Sequence, residues 1–173
     1  MRKKGFTLIE LLIVIGILGI LAAIVLVAVD PAKRLRQSRD ARRAAEVNSI
    51  LNAILNYTAD SKGILPAAIS ATTTAHVIGT ASTGCDTPTI CPFTPANPDD
   101  GGATSTPACA DLGTGVLVDT YISQIPVDPR GGNAAGDTYD DSRTGYYVVR
   151  SSNGRVEVGS CNPEVESSIK VKR

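Results

Sequence analysis

Residues 6–29, FTLIELLIVIGILGILAAIVLVAV, decide the fold, because they are apolar apart from Thr7, Glu10, Gly16 and Gly19. As one α-helix this stretch would be ~36 Å long, which is enough to cross a hydrocarbon core of ~30 Å with some tilt. It is too long for the apolar part of a cleaved secretory signal, and no small-residue cleavage site follows it. The stretch therefore predicts a membrane-spanning helix.

Glu10 is the one ionisable residue in this span. A carboxylate inside a membrane is costly and indicates a function with a specific partner. A plain membrane anchor leaves Glu10 unexplained. One alternative is that its side chain only reaches the interface near the start of the helix.

The residues just before the span suggest a different explanation for Glu10. The segment RKKGFTLIE, residues 2–10, resembles the processing site of type IV prepilins and type II secretion pseudopilins, and the resemblance extends over roughly residues 3–20. It implies that a prepilin peptidase cuts a short basic leader after Gly5 and methylates the new amine of Phe6. It also implies that Glu10 is buried in a filament against the amine of a neighbouring subunit.

The spacing of Phe6 and Glu10 is compatible with that role. The two residues are four apart, so the amine and the carboxylate lie on one face of a helix. They could pair within one subunit or between subunits. In a low-dielectric helix bundle an unpaired charge costs far more than a matched one, so pairing between subunits would also set their axial register.

The helical pattern continues beyond the span. Pro31 removes one helical hydrogen bond, and together with Gly16 and Gly19 it is expected to mark where the helix loosens as a filament packs. A stripe of residues at helical spacing follows: Ala44, Val47, Leu51, Ile54 and Thr58. We therefore expect one long helix from Phe6 to about Asp60, ended by Lys62, Gly63 and Pro66.

The charges are segregated along a chain that has no net charge. Nine basic residues lie between Met1 and Arg43, whereas eleven acidic residues lie between Asp99 and Glu166. Three of the basic residues precede the span and six follow it, and the positive-inside rule alone would place the C-terminal side in the cytoplasm. The leader and the cysteines predict the opposite orientation. The basic segment after the span is then expected to meet acidic faces of neighbouring subunits or anionic lipid, and nucleic-acid binding is not expected.

Four cysteines, Cys85, Cys91, Cys109 and Cys161, lie far downstream of the span. An even number in a loop-rich region predicts disulfides and an oxidising compartment. A zinc site is the alternative, but His76 is the only histidine and no C-x-x-C occurs. Of the three connectivities, we expect Cys85–Cys91 with Cys109–Cys161.

The remaining sequence predicts a small β-rich head. Residues 70–107 are rich in Ser, Thr and Pro and read as a surface loop that could carry O-linked sugar, with a short strand at Val77–Ile78. Residues 116–125 fit either a short helix or a strand. Residues 146–150 and 155–159 predict a β-hairpin that turns at Asn153–Gly154.

A second, weaker resemblance covers this C-terminal region. IPVDP at residues 125–129, TGYY at residues 144–147 and the hairpin are similar to the C-terminal part of pseudopilins and related pilins. The resemblance implies an α+β, pilin-like roll, in which a long helix packs on a small antiparallel sheet. It also directs attention to Asp128, Asp137, Asp140 and Asp141, since secretion-system relatives bind calcium near such a loop. Their spacing does not match an EF-hand, so solvated loop acids are the favoured interpretation.

No motif predicts catalysis. The sequence contains no phosphate-binding glycine loop and no G-x-S-x-G nucleophile, and His76 is expected to be exposed in a polar stretch. We therefore predict no catalytic residue, no metal and no cofactor.

These features predict residues 1–5 as a cleaved leader, 6–30 as the transmembrane and filament-core helix, 31–61 as the second half of the helix and 62–173 as an extracytoplasmic head. The predicted protein is a single-pass protein of the cytoplasmic membrane that later joins an extracellular helical homopolymer. The resemblance implies three further partners, namely prepilin peptidase, an assembly ATPase and a membrane platform protein. A pseudopilin of a secretion or DNA-uptake system, a minor tip adhesin and, less favoured, a membrane-tethered enzyme are the alternatives.

Overall fold

The computed structural model describes residues 5–69, 75–85, 91, 108–113, 115–132, 136 and 138–173. The chain divides into two compact units, Met1–Gln37 and Ser38–Arg173. Each unit is described by itself below.

The first unit is dominated by helix α1, Leu8–Val29, in which no residue is buried. Helix α2, Pro31–Asp60, begins after a single interruption at Asp30, whose φ of 41° is left-handed. The Asp30 carboxylate accepts the N–H of Lys33 at 3.1 Å, and its carbonyl accepts the N–H of Arg34 at 3.2 Å. Asp30 therefore caps α2, and Pro31 occupies the first helical position, where a missing N–H costs nothing. The long helix predicted from the sequence is thus present as two consecutive helices.

The residues of α2 from Ser38 onward belong to the second unit and bury one face of the helix. The predicted stripe is confirmed, because Val47, Ile50, Leu51 and Ile54 are all buried in the core. The helix ends where predicted: Gly63 has a φ of 88° and donates its N–H to the carbonyl of Thr58.

The sheet has four antiparallel strands in the order β1-β2-β3-β4. They are β1 His76–Val77, β2 Tyr146–Arg150, β3 Val156–Ser160 and β4 Lys170–Lys172. The predicted hairpin is confirmed, with Tyr146 opposite Ser160 and Arg150 opposite Val156. Strand β4, which pairs with β3, was not predicted.

Alternation along β2 divides the head into two apolar clusters. Tyr146 and Val148 point into the cluster that contains the buried face of α2. Tyr147 and Val149 point into the second cluster, which contains buried cysteines. The sheet is therefore covered on one face by the helix and on the other by disulfide-bonded loops, which agrees with the predicted α+β fold.

The structure resolves one region that the sequence left open and corrects one expectation. Residues 116–125 form turns rather than a helix or a strand, with Leu117 buried and Val118 bridged to Ile122. His76 is not in an exposed polar stretch but lies half-buried in β1, and burial lowers its pKa. Much of the predicted loop at residues 70–107 lies outside the described residues.

Candidate assembly site

The start of α1 brings Glu10 close to the predicted processing site. The Glu10 carboxylate accepts the backbone N–H of Thr7 at 2.9 Å and its hydroxyl at 2.6 Å. In return the Thr7 hydroxyl accepts the N–H of Glu10 at 3.3 Å, which completes a capping box. The Phe6 side chain beside this box is 85% exposed. A cut after Gly5 would create its amine one residue before the nitrogen that Glu10 already binds.

The surface of α1 is apolar except near Glu10, and none of the described residues of its unit buries it. Its exposed large residues include Leu8, Ile9, Leu11, Leu12, Ile13, Val14, Ile15, Ile17, Leu18, Ile20, Leu21, Ile24, Val25, Leu26, Val27 and Val29. Apart from the adjoining backbone of the helix itself, a Cβ added at Gly16 or Gly19 would meet no described atom within 4 Å. The packing described for this unit therefore does not require glycine at either position. Close approach of another molecule is the steric requirement that would explain the two glycines.

In the second unit, three charged residues of α2 meet two acids from later in the chain in a group that is largely buried and that we call the Arg43 cluster: Arg39, Asp40, Arg43, Asp128 and Glu164. Arg43 is 0% exposed and binds both oxygens of Asp128, with Nε–Oδ2 at 2.7 Å and Nη2–Oδ1 at 2.8 Å. Its Nη1 also donates to Asp40 at 2.7 Å and to Glu164 at 3.0 Å. Arg39 donates to both oxygens of the Glu164 carboxylate. The planar guanidinium suits such two-point binding of carboxylates.

Asp40 also binds backbone. Its carboxylate accepts the N–H groups of Glu164, Val165 and Glu166, with distances between 2.7 and 3.2 Å. The turn of α2 around residue 40 is thereby tied to the segment that follows β3, and the Arg43–Asp128 pair ties it to the segment that precedes β2.

The contacts in the cluster favour the charged forms of Glu164, Asp40 and Arg43. The hydrogen bond from Arg39, together with Arg43, lowers the pKa of Glu164. Burial raises the pKa of Asp40, but the three backbone N–H groups and Arg43 outweigh it, so the net change is a lowering. Burial likewise opposes the charge of Arg43, yet its carboxylate partners raise its pKa above the ordinary value.

These contacts correct two expectations. Asp128 is neither a solvated loop acid nor available to a metal, because Arg43 and the N–H of Arg130 take up its oxygens. Arg39 and Arg43 pair within the chain, and Arg42 forms an ion pair with Glu46 at 2.7 Å. This half of the basic segment is therefore not reserved for neighbouring subunits or lipid.

The other loop acids that the resemblance pointed to do not form a metal site among the residues described. Asp140 accepts the N–H of Ser142 at 2.8 Å, which is a local turn contact. In the described part of the chain, no group of three or more His, Cys, Asp or Glu side chains could hold a metal ion. Asp137 lies outside that part.

All four cysteines form disulfides, but the expected pairing was wrong. The bonds are Cys85–Cys109 and Cys91–Cys161. Cys109 donates its N–H to the carbonyl of Ala81 at 2.9 Å, and this contact brings it beside the turn that carries Cys85. Cys161 directly follows β3, so its bond fixes Cys91 against the sheet. The sheet is therefore held to α2 by apolar packing on one face and to the loops by disulfide bonds on the other.

Comparison with known proteins identifies the N-terminal segment. Residues 1–26 match a family model described as the prokaryotic N-terminal methylation motif. No curated protein and no solved structure matches the chain. The matched residues include the processing site, the capping box and most of α1. The chain thus carries the prokaryotic N-terminal methylation motif, which is typical of type IV pilins and pseudopilins.

Proposed function

We propose that the protein is a structural subunit of a type IV pilus-like filament that assembles through α1 after processing by a prepilin peptidase. The observation that carries the proposal is α1 itself: a helix of 22 residues, apolar except for Glu10 and two glycines, without one buried residue, most of which lies within the matched methylation motif. An exposed apolar surface of this size requires lipid or other protein around it.

In this proposal the peptidase cuts between Gly5 and Phe6 and methylates the amine of Phe6. Helix α1 holds the precursor in the cytoplasmic membrane, with the head on the outer side. An assembly ATPase and a membrane platform protein then move α1 from lipid into a bundle of α1 helices from other copies. Gly16 and Gly19 allow close helix approach there, and the interruption at Asp30 and Pro31 separates the bundle helix from the head.

Glu10 provides register in that bundle. Its carboxylate lies at the start of α1, where it is available to the Phe6 amine of a neighbouring copy. A matched charge pair at one axial offset is much less costly in an apolar bundle than two unmatched charges. Only one axial shift between neighbouring α1 helices would place each Glu10 carboxylate against a Phe6 amine. The same pair would therefore repeat along the filament.

A pseudopilin that forms a short piston is the closest alternative, because the same motif is typical of both classes. A minor tip adhesin is less favoured. A subunit at the tip has no subunit ahead of it whose amine needs neutralising, yet Glu10 is present. A membrane-tethered enzyme would keep its leader, so an uncut N-terminus would favour it.

The test is the mass of the N-terminal peptide of the mature protein, with electron microscopy of the cell surface. We expect the peptide to begin at methylated Phe6, and we expect Gly5→Val to remain uncut in the membrane and to form no filaments. Gly16→Ala, a second glycine in the matched segment, is the processing control and should be cut normally. An intact leader in the mature parent protein, or normal processing of Gly5→Val, would refute the proposal.

A further inference from the structure

The basic segment after the span divides into two halves with different partners. The half farther from the span, Arg39 to Arg43, is paired with carboxylates of the second unit or of α2 itself. The nearer half consists of Lys33, Arg34 and Arg36, which we call the basic collar. Within its own unit the described acids are Glu10, at the opposite end of α1, and Asp30, which caps α2.

The collar lies at the depth of the lipid headgroups when α1 spans a membrane. Helix α1 is ~33 Å long, close to the ~30 Å of a hydrocarbon core, so Val29 lies near its boundary. Lys33 follows Val29 by four residues and Arg36 follows it by seven, which places them roughly 6–10 Å beyond Val29 along a helix. This distance is comparable to the depth of the headgroup region, which is about 5–8 Å on each side of the membrane. Long basic side chains also reach back toward the boundary. By contrast, Arg39 is one turn farther out and is bound to Glu164.

The arrangement of the collar suits several phosphates at once. Its three residues fall within one turn, and at about 100° per residue they cover a wide arc of the helix surface. All three are exposed. Arg34 contacts the neutral side chain of Gln37 at 3.4 Å, and in the described residues no ion pair involves any of the three.

We propose that the basic collar binds the phosphate groups of anionic phospholipids and gathers these lipids around the membrane-inserted precursor. The occupant follows from position and charge, since three cations lie in continuity with an apolar membrane helix. This binding would be released when the subunit enters a filament, so lipid composition would influence how readily subunits are extracted. The inference rests on the proposed membrane insertion of α1.

The experiment uses the full chain in phosphatidylcholine vesicles that contain a minor fraction of phosphatidylglycerol. Because the native cysteines are disulfide-bonded, a fluorescent donor can be attached to Ala32→Cys beside the collar. Energy transfer is then compared between vesicles with acceptor-labelled phosphatidylglycerol and vesicles with acceptor-labelled phosphatidylcholine. We expect a preference for phosphatidylglycerol of about two- to fivefold at low salt, since basic residues near an anionic surface attract its headgroups, and high salt should abolish it by screening that attraction.

The triple change Lys33→Gln, Arg34→Gln and Arg36→Gln should remove the preference without preventing insertion. The matched control, Lys62→Gln, Arg155→Gln and Arg173→Gln, removes the same charge from exposed positions of the head and should keep the preference. Equal transfer to both lipids in the parent, or an equal loss in the control, would overturn the lipid proposal. If the collar variant shows unchanged lipid preference but fails to assemble, the collar binds acidic groups of another copy instead. A parent chain that does not insert into vesicles at all would refute the proposed function as well.

Discussion

The Arg43 guanidinium and the Asp128 carboxylate form a two-bond ion pair in which neither side chain is exposed to solvent. The two residues are 85 positions apart in the chain. A buried pair of this kind does not guarantee net stabilisation, but the removal of one member leaves the other charge without compensation.

We therefore expect Arg43→Gln to destabilise the head by about 3–5 kcal/mol, because the buried Asp128 carboxyl group would lose its main partner. The adjacent Arg42→Gln is the control. Arg42 is exposed and forms an i,i+4 pair with Glu46, so its loss should lower the stability much less than the loss of Arg43. Urea unfolding of the detergent-solubilised full chain, followed by near-ultraviolet circular dichroism, measures both. Equal midpoints for the two variants would contradict the structural role of Arg43.

The lowered pKa values of Asp40 and Glu164 predict acid sensitivity. Their pKa values in the folded chain lie below the ordinary values of 3.8 and 4.5, so the folded state favours the ionised forms. The resulting stabilisation is present at pH values above 4.5 and is lost as the pH falls through the folded-state values. Unfolding midpoints measured from neutral pH down to pH 3 should decline in this window. Asp40→Asn together with Glu164→Gln should lower the stability at neutral pH and flatten the decline; an unchanged slope would count against the cluster as its source.

The two disulfides should contribute unequally. Cys91–Cys161 closes a separation of 70 residues and Cys85–Cys109 one of 24. If disulfides act by restricting the unfolded chain, removal of Cys91–Cys161 should lower the free energy of unfolding by about 1 kcal/mol more than removal of Cys85–Cys109. We expect Cys91→Ala with Cys161→Ala to unfold at lower urea than Cys85→Ala with Cys109→Ala. Mass mapping of non-reduced peptides would test the connectivity directly, and a Cys85–Cys91 peptide pair would contradict it.

The capping role of Glu10 can be separated from its proposed role in assembly. Glu10→Gln keeps a hydrogen-bond acceptor for the N–H of Thr7 but removes the charge, whereas Thr7→Ala removes the hydroxyl and keeps the charge. The loss of the threonine cap should cost about 1 kcal/mol of helix stability and leave filaments intact. The loss of the charge would leave the Phe6 amine of the neighbouring copy without its proposed partner at every subunit pair. Electron microscopy should find filaments for Thr7→Ala and few or none for Glu10→Gln. The reverse result would assign Glu10 to capping alone.

The parts of the fold that depend on local sequence were predictable. The stripe through Val47, Leu51 and Ile54 has helical period, and the hairpin has alternating apolar residues around Asn153–Gly154. Strand β4 was missed because Lys170–Lys172 is only three residues long and gains its stability from β3. Such a segment has too little pattern of its own to be recognised.

The long-range contacts could not be derived in this way. The spacing did contain one signal for Arg43, since it lies four residues before Val47 and therefore on the buried face of α2. A charged residue there requires a buried partner, but nothing local identifies Asp128 among the many acids downstream. The disulfide pairing depends in the same way on the course of loops that carry little periodicity.

The position of the Arg43 cluster has a mechanical consequence. Arg39 is the second residue of the second unit, so tension transmitted from α1 along the backbone would reach the cluster before it reaches the sheet. From Glu164 the load passes within three residues to Cys161 and across its covalent bond to Cys91. Several ion pairs would have to separate in parallel before any strand was pulled from its neighbour. A pull from the N-terminal side would therefore load the charged turn of α2 first.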